Sequence, residues 1–189
     1  MNTTNMLLAM LVGAMRRWLR DARNWLLPRL VLSPRHELAG RAVVEEDGAR
    51  LIVSSALSSQ PGATSGFYNP KMALRRTLCV HTLQAAVATP WDKSIGEGLG
   101  SSALIRVLDG FSASGAVSIR WAHALQKHGR AGVEITASDM DPKCCDLVEE
   151  NAALNGMSLR VACADFRVLL LTSAPFDFVH VDPFGSCVP

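Results

Sequence analysis

Four aspartates stand at or beside the ends of four short apolar runs: Asp109 in LIRVLDG, Asp139 in VEITASD, Asp165 just after LRVAC, and Asp182 closing FDFVHVD. An acid after one strand is an ordinary helix cap, but acids after all four point to one polar, ligand-binding rim. The last belongs to Asp182-Pro183-Phe184-Gly185. A carboxylate and a flat ring on a stiffened turn suit a planar base with an exocyclic amine: the carboxylate accepts the N–H and the ring stacks on the base. The same four residues equally make a plain Pro-Gly turn. Asp139 follows the first glycine turn by roughly 20–30 residues, the spacing of an acid that accepts hydrogen bonds from ribose hydroxyls. Asp141, followed by Pro142, is better read as a helix N-cap. In DGFSASG, Gly110 and Gly115 flank small residues that let backbone approach a ligand. That run falls short of the full glycine fingerprint and also reads as a tight strand-to-helix turn.

These residues need elements to hold them. Strands are expected at 104–110, 133–139, 159–163 and 176–182, a helix at 116–128 with Ile119, Ala122 and Leu125 inward, and a second from Asp141 to Asn155-Gly156. The alternation predicts an α/β fold, a parallel sheet with helices on both faces and ligands beyond the carboxyl ends of the strands. Residues 42–53 predict a hairpin turning at Asp47-Gly48. A loop follows at 58–66. A helix is expected from Lys71 to about Ala88 on the spacing of Leu74, Leu78, Leu83 and Val87, and a second loop at 89–102. The chain carries no internal repeat and no low-complexity segment.

The 189 residues suffice for one domain with a core. A net charge of +2 neither demands nor excludes a nucleic-acid partner. Five cysteines (Cys79, Cys144, Cys145, Cys163 and Cys187) lack the pairing of a disulfide framework or a metal site, which suggests reduced thiols in an intracellular protein. A catalytic cysteine is the alternative, but no histidine or acid is placed to suggest it. The first forty residues differ from the rest. Their apolar run, Met6 to Met15, is too short to span a bilayer. Arg16, Arg17, Arg20, Arg23, Arg29 and Arg35 follow it, with Trp18 and Trp25. This fits a mitochondrial presequence, while a surface helix or a misassigned start accounts for it equally.

Taken in order, EDGARLIV (46–53), GFYNPKMALRRTLCV (66–80), VLDGFSASGAVSIRWA (107–122), ASDMDPKCCDLVEENAALNG (137–156) and FDFVHVDPFGSCVP (176–189) resemble the tRNA guanine-N2 dimethyltransferases, which methylate the exocyclic amine of a guanosine at the junction of two tRNA arms, position 26. The resemblance covers roughly residues 42–189 and implies a Rossmann-like, class I S-adenosylmethionine-dependent methyltransferase fold, cut off after its fourth strand. Composition sets residues 1–40 apart as a leader, and the resemblance makes 41–189 a partial methyltransferase domain. The resemblance further implies S-adenosylmethionine as cofactor and tRNA as partner, and implies no metal, membrane or protein partner. Arg76 and Arg120 match arginines that contact the cofactor, Asp139 its ribose-binding acid, Asp165 (followed by Phe166) the acid near the adenine, and Asp182 the catalytic acid, with Phe184 beside it; Gly110 and Gly115 belong to the cofactor turn. Without the resemblance, Arg76 and Arg120 read as a solvated helix face. The chain departs from the family at Arg75-Arg76-Thr77, where Asn-Arg-Asp is usual, at Ser138, where Asn is usual, and at Phe166, where Ala is common. The end at Pro189 leaves FDFVHVD as an expected exposed edge strand and predicts little activity for these residues alone. Mitochondrial and/or nuclear location is the corresponding expectation. The rival readings are an amino-group methyltransferase on adenine in DNA or RNA, and a non-catalytic, truncated RNA-binding remnant.

Overall fold

The chain reverses at Asp47-Gly48, and the strands that meet there pair antiparallel, β1 (Arg41–Glu46) with β2 (Ala49–Ser54). The computed structural model describes residues 40–54, 65–88, 104–129 and 132–183. The expected leader, the loop at 89–102 and the Phe184-Gly185 pair lie outside the described residues. Alternation along the hairpin sends Val44, Leu51 and Val53 into a core shared with Tyr68, Ile119 and Ala152.

A short 3-10 turn (Pro70–Met72), capped by the Asn69 side chain, opens into α1 (Ala73–Ala88). The helix lies where expected, but half of its anticipated inner face does not. Leu74 and Leu78 are 56% and 58% exposed, while Ala73, Arg76, Val80, Leu83 and Val87 are buried. The buried set steps by three and four residues, which keeps one stripe inward; Leu74 and Leu78 fall off that stripe.

Six elements then alternate after β3 (Ile105–Asp109): α2 (Ala116–Lys127), β4 (Val133–Asp139), α3 (Pro142–Leu154), β5 (Arg160–Cys163), α4 (Phe166–Thr172) and β6 (Phe178–His180). All pairings in the four-stranded sheet are parallel, and the order is β5-β4-β3-β6. The chain steps from β3 to β4 to β5 in one direction and returns past β3 to reach β6. Right-handed crossovers therefore put α2 and α3 on one face and α4 on the other. This is a Rossmann-like α/β arrangement whose topological switch point lies between β3 and β6, where ligands bind in such sheets. Asp109, Asp139 and Asp182 stand at the same, carboxyl end of the strands, as expected. Val107, Trp121, Leu125, Ile135 and Phe178 share the main core with the inner stripe of α1.

Two elements depart from expectation. Residues 166–172 form α4, which the sequence reading leaves without an element; its apolar side chains Val168, Leu170 and Leu171 are exposed, so no amphipathic period marks it. The fourth strand is shorter than 176–182. Asp177 grips the main chain of Arg106 at both ends, its amide donating to Arg106 O and its carboxylate accepting from Arg106 N, each at 2.8 Å. Pairing starts there, and after His180 the chain leaves the ladder. β6 is the edge strand of the described sheet, with Val179 and Val181 partly exposed.

Candidate functional site

The turn after β3 is pinned by neighbouring strands. Gly110 N donates to His180 O of β6 at 2.9 Å, and Ser112 N donates to Ser138 O of β4 at 2.9 Å. Ala113 holds a left-handed conformation, φ 46°. Such strain in a non-glycine residue needs support, and Asp139 gives it: Oδ2 accepts from Ala113 N at 2.9 Å while Oδ1 accepts from Asp141 N at 3.0 Å. Gly110 admits the Phe166 ring, since a Cβ would meet it at 3.0 Å; Phe166 also packs against Phe111 with centroids 5.1 Å apart. Gly115 sits at φ +73° at the start of α2, with Val148 where a Cβ would go. Both glycines thus have packing reasons of their own.

Between this turn and the one after β6 opens a cavity of about 410 Å³, walled by Ser112, Ala113 and Ser114 from β3, by His180, Val181 and Asp182 from β6, and by Asn69, Arg75, Arg76 and Cys79 on the hairpin side. It lies at the switch point. Asp182 lines it, and Arg75 Nη2 meets Asp182 Oδ1 at 2.7 Å. Ser112 Oγ is buried with no hydrogen-bond partner among the described residues.

The two arginines matched to a cofactor role converge on one internal carboxylate. Glu46, 4% exposed, accepts from Arg76 Nε (2.8 Å) and Nη2 (2.5 Å), from Arg120 Nη1 (2.6 Å) and from the Tyr68 hydroxyl (2.8 Å). Arg120 also reaches Asp47 and the Thr77 hydroxyl, and Arg76 stacks on the Tyr68 ring. Burial alone would raise the Glu46 carboxyl, but the two guanidiniums outweigh it and hold it below its ordinary value. The same burial, with the Glu46 charge, pushes the Tyr68 hydroxyl well up. Arg76 lines the cavity; Arg120 lies behind it. The solvated helix face that residue type alone suggests for both is overturned, because buried guanidiniums must be paired.

The expected rim of four acids is corrected: of the strand-end acids only Asp182 lines the cavity, while Asp139 is bonded to the turn beside it. Asp109 is buried, accepting from Ser118 Oγ at 2.6 Å and meeting His180 Nδ1 at 3.0 Å. Asp165 caps α4, accepting from Arg167 N and pairing with the Arg167 side chain, and it does not line the cavity. The Arg167 bonds hold its carboxyl below the usual range. Asp141 is the N-cap of α3, as expected. Phe184 lies outside the described residues. Cys144 and Cys145 sit buried in the first turn of α3, and burial pushes their thiols up to about 11 and about 12. Sequence reasoning missed Glu46, the Arg75 contact and the grouping of Cys79, His180 and Asp109. Only Arg75, through its departure from the resembled motif, left a signal.

A family model described as N2,N2-dimethylguanosine tRNA methyltransferase matches residues 40–189. A tRNA (guanine(26)-N(2))-dimethyltransferase from Methanoregula boonei is 33% identical over 129 residues, covering 68% of this chain and 28% of the relative. A tRNA (guanine(27)-N(2))-dimethyltransferase from Homo sapiens is 29% identical over 154 residues, covering 69% of this chain and 19% of the relative. The chain therefore spans less than a third of the length of either. A SAM-dependent methyltransferase from Agrobacterium tumefaciens shares the fold, with TM-score 0.51 at 17% identity over 77% of this chain and 40% of that one. The match runs through the hairpin, the sheet and the turn that carries Asp182, and the chain belongs to the N2,N2-dimethylguanosine tRNA methyltransferase family.

Proposed function

We propose that the chain carries the cofactor- and base-binding half of an S-adenosylmethionine-dependent enzyme that methylates the exocyclic N2 of guanosine in tRNA. The observation that carries this reading is the position of Asp182: a carboxylate on the turn after β6, in the wall of a cavity at the switch point of a Rossmann-like sheet. The archaeal relative is named for position 26 of tRNA and the human one for position 27.

The residues present fit the cofactor. Asp139 holds the strained turn through one lone pair on each oxygen and keeps others for ribose hydroxyls. Ser112 offers a buried, unpartnered hydroxyl in the cavity wall. Arg76 brings positive charge to the wall, which suits a carboxylate such as that of a methionine moiety, although its Nε/Nη2 fork is held by Glu46. When bound, S-adenosylmethionine supplies a methyl group on a positively charged sulfur. The guanine N2 amine is a poor nucleophile because its lone pair is delocalised into the ring. Asp182 orients its N–H groups and stabilises the positive charge that grows on nitrogen. Arg75 pairs with Oδ1 of Asp182, which leaves Oδ2 and a second lone pair on Oδ1 to accept from the amine. Phe184, the next residue but one, supplies the stacking face. The arginine-rich leader supports a mitochondrial or nuclear address, tested by fusing residues 1–40 to a fluorescent protein.

The test is calorimetric titration with S-adenosylmethionine, then transfer of labelled methyl to unmodified tRNA with nucleoside analysis. Methyl on guanosine N2 supports the reading. Methyl on adenine supports the adenine rival, and absence of cofactor binding supports a non-catalytic remnant.

A further inference from the structure

Cys79 of α1 lies against His180 at the end of β6, with Sγ 3.6 Å from Nε2. The other ring nitrogen, Nδ1, meets Asp109 Oδ1 at 3.0 Å, and Asp109 Oδ2 accepts from Ser118 at 2.6 Å. Trp121 holds the imidazole edge-on, centroids 5.6 Å apart. A thiol, an imidazole and a buried carboxylate therefore stand in line, and the first two line the cavity. Burial alone would keep the imidazole neutral. Its bonds to Asp109 and Cys79 overcome that and push it up to about 10, so the ring is a cation at neutral pH. An imidazole in contact with sulfur and itself held by a buried carboxylate is the arrangement in which a cysteine acts as a nucleophile. Among the described residues the other charges lining the cavity are Arg75 and Arg76 on α1 and Asp182 on the turn after β6; Arg75 pairs with Asp182, and Arg76 with Glu46 of β1. From the β3 side, Ser112 presents its unpartnered, buried hydroxyl to the same space, a ready hydrogen-bond partner for a small polar ligand.

We propose that Cys79 is a peroxide-reactive thiol, a modification site in the cavity wall that takes small hydroperoxides. The sulfur attacks one peroxide oxygen, an S–O bond forms and the O–O bond breaks. The departing hydroxide, or alkoxide from an alkyl hydroperoxide, takes the proton from the His180 imidazolium and leaves as water or the alcohol. Sulfur is oxidised by two electrons to the sulfenic acid and the peroxide is reduced. The buried Cys144 and Cys145 have no cation against them in this way, and Cys163, exposed with its Sγ on the Met140 carbonyl and beside the Cys145 thiol, is the internal reference, its trapped sulfenic acid and any Cys145–Cys163 disulfide being counted together. This chemistry does not depend on the methyl-transfer reading.

The experiment treats the chain with hydrogen peroxide and a 1,3-dione that traps sulfenic acids, at pH 6 and pH 8, and maps the labelled peptides by mass. Cys79 should label about tenfold faster than Cys163 at pH 6, with a shallower rise to pH 8. An unassisted thiol of ordinary pKa rises about 80-fold over that range. Labelling of Cys79 no faster than Cys163 at pH 6, or a steep rise to pH 8, overturns the proposal; both readouts use the unaltered chain. His180→Gln should lower the pH 6 rate of Cys79 about tenfold. An unchanged rate in that variant, with its circular dichroism intact, overturns the role of the imidazole.

Discussion

Glu46 is the residue whose removal should cost most for its size. Its carboxylate receives four hydrogen bonds from three side chains, two of them guanidiniums, and is 4% exposed. Glu46→Ala leaves Arg76 and Arg120 facing each other without the anion between them. Breaking a buried pair by removing one partner costs about 3–5 kcal/mol, a large share of the roughly 5–15 kcal/mol that holds a domain folded. Glu46→Gln keeps an acceptor but no charge, and should cost about 2–3 kcal/mol. Urea unfolding followed by circular dichroism at pH 7 measures both, and the slope should stay constant if only stability changes. The sign with pH follows from the lowered carboxyl. Burial, which raises it, is outweighed by the bonds and charges of Arg76 and Arg120. The Glu46 contribution is therefore fully present above the ordinary value of 4.5 and is lost as pH falls through the lower, folded value. Acid should weaken the wild-type chain more than Glu46→Ala. A Glu46→Ala loss below about 1 kcal/mol would refute the view that this carboxylate ties the hairpin to α1 and α2.

His180 runs the other way. Its raised value means that its pairing stabilises fully below 6.5 and that this contribution is lost as pH rises through about 10, so the stability advantage of wild type over His180→Gln should shrink between pH 8 and pH 10.5 in urea unfolding. Gly115→Ala should cost about 1–3 kcal/mol, since an alanine is strained at φ +73° and its Cβ would meet Val148 at 3.0 Å; thermal unfolding checks it. Asp182→Asn should lower methyl transfer to tRNA by about 100-fold or more while S-adenosylmethionine binding changes less than about twofold, read by labelled transfer and calorimetry on an active preparation.

What the sequence disclosed was local or repetitive. Asp47-Gly48 states its turn in two residues, and Asp141-Pro142 states a helix start in two more. The strand–helix alternation carried the parallel sheet because each element brings its own period. What stayed hidden depends on distance along the chain. Cys79 and His180 are 101 residues apart, and Arg120 and Glu46 are 74 apart, so no window contains either pair. Asp109 and Asp139 look alike as strand-end acids. The first is buried against His180 and Ser118, and the second is bonded to the turn beside the cavity; only packing separates them. Helix α4 escaped because FRVLLLT has no polar face to alternate with. Asp165, its cap, was legible only as one more acid at a strand end.

The strand order also sets a timetable. Two walls of the cavity come from the turns after β3 and β6, the first and last strands of the sheet in sequence, and the Arg106–Asp177 bonds that join these strands close a stretch of 71 residues. Closing so long a loop is slow compared with the adjacent β3–α2–β4 and β4–α3–β5 units. A nascent or refolding chain therefore builds most of its sheet while the ligand space is still missing a wall. Ligand present during refolding has nothing to bind until β6 docks. It should then leave the early phases untouched and hold only the finished state, slowing unfolding rather than hastening folding.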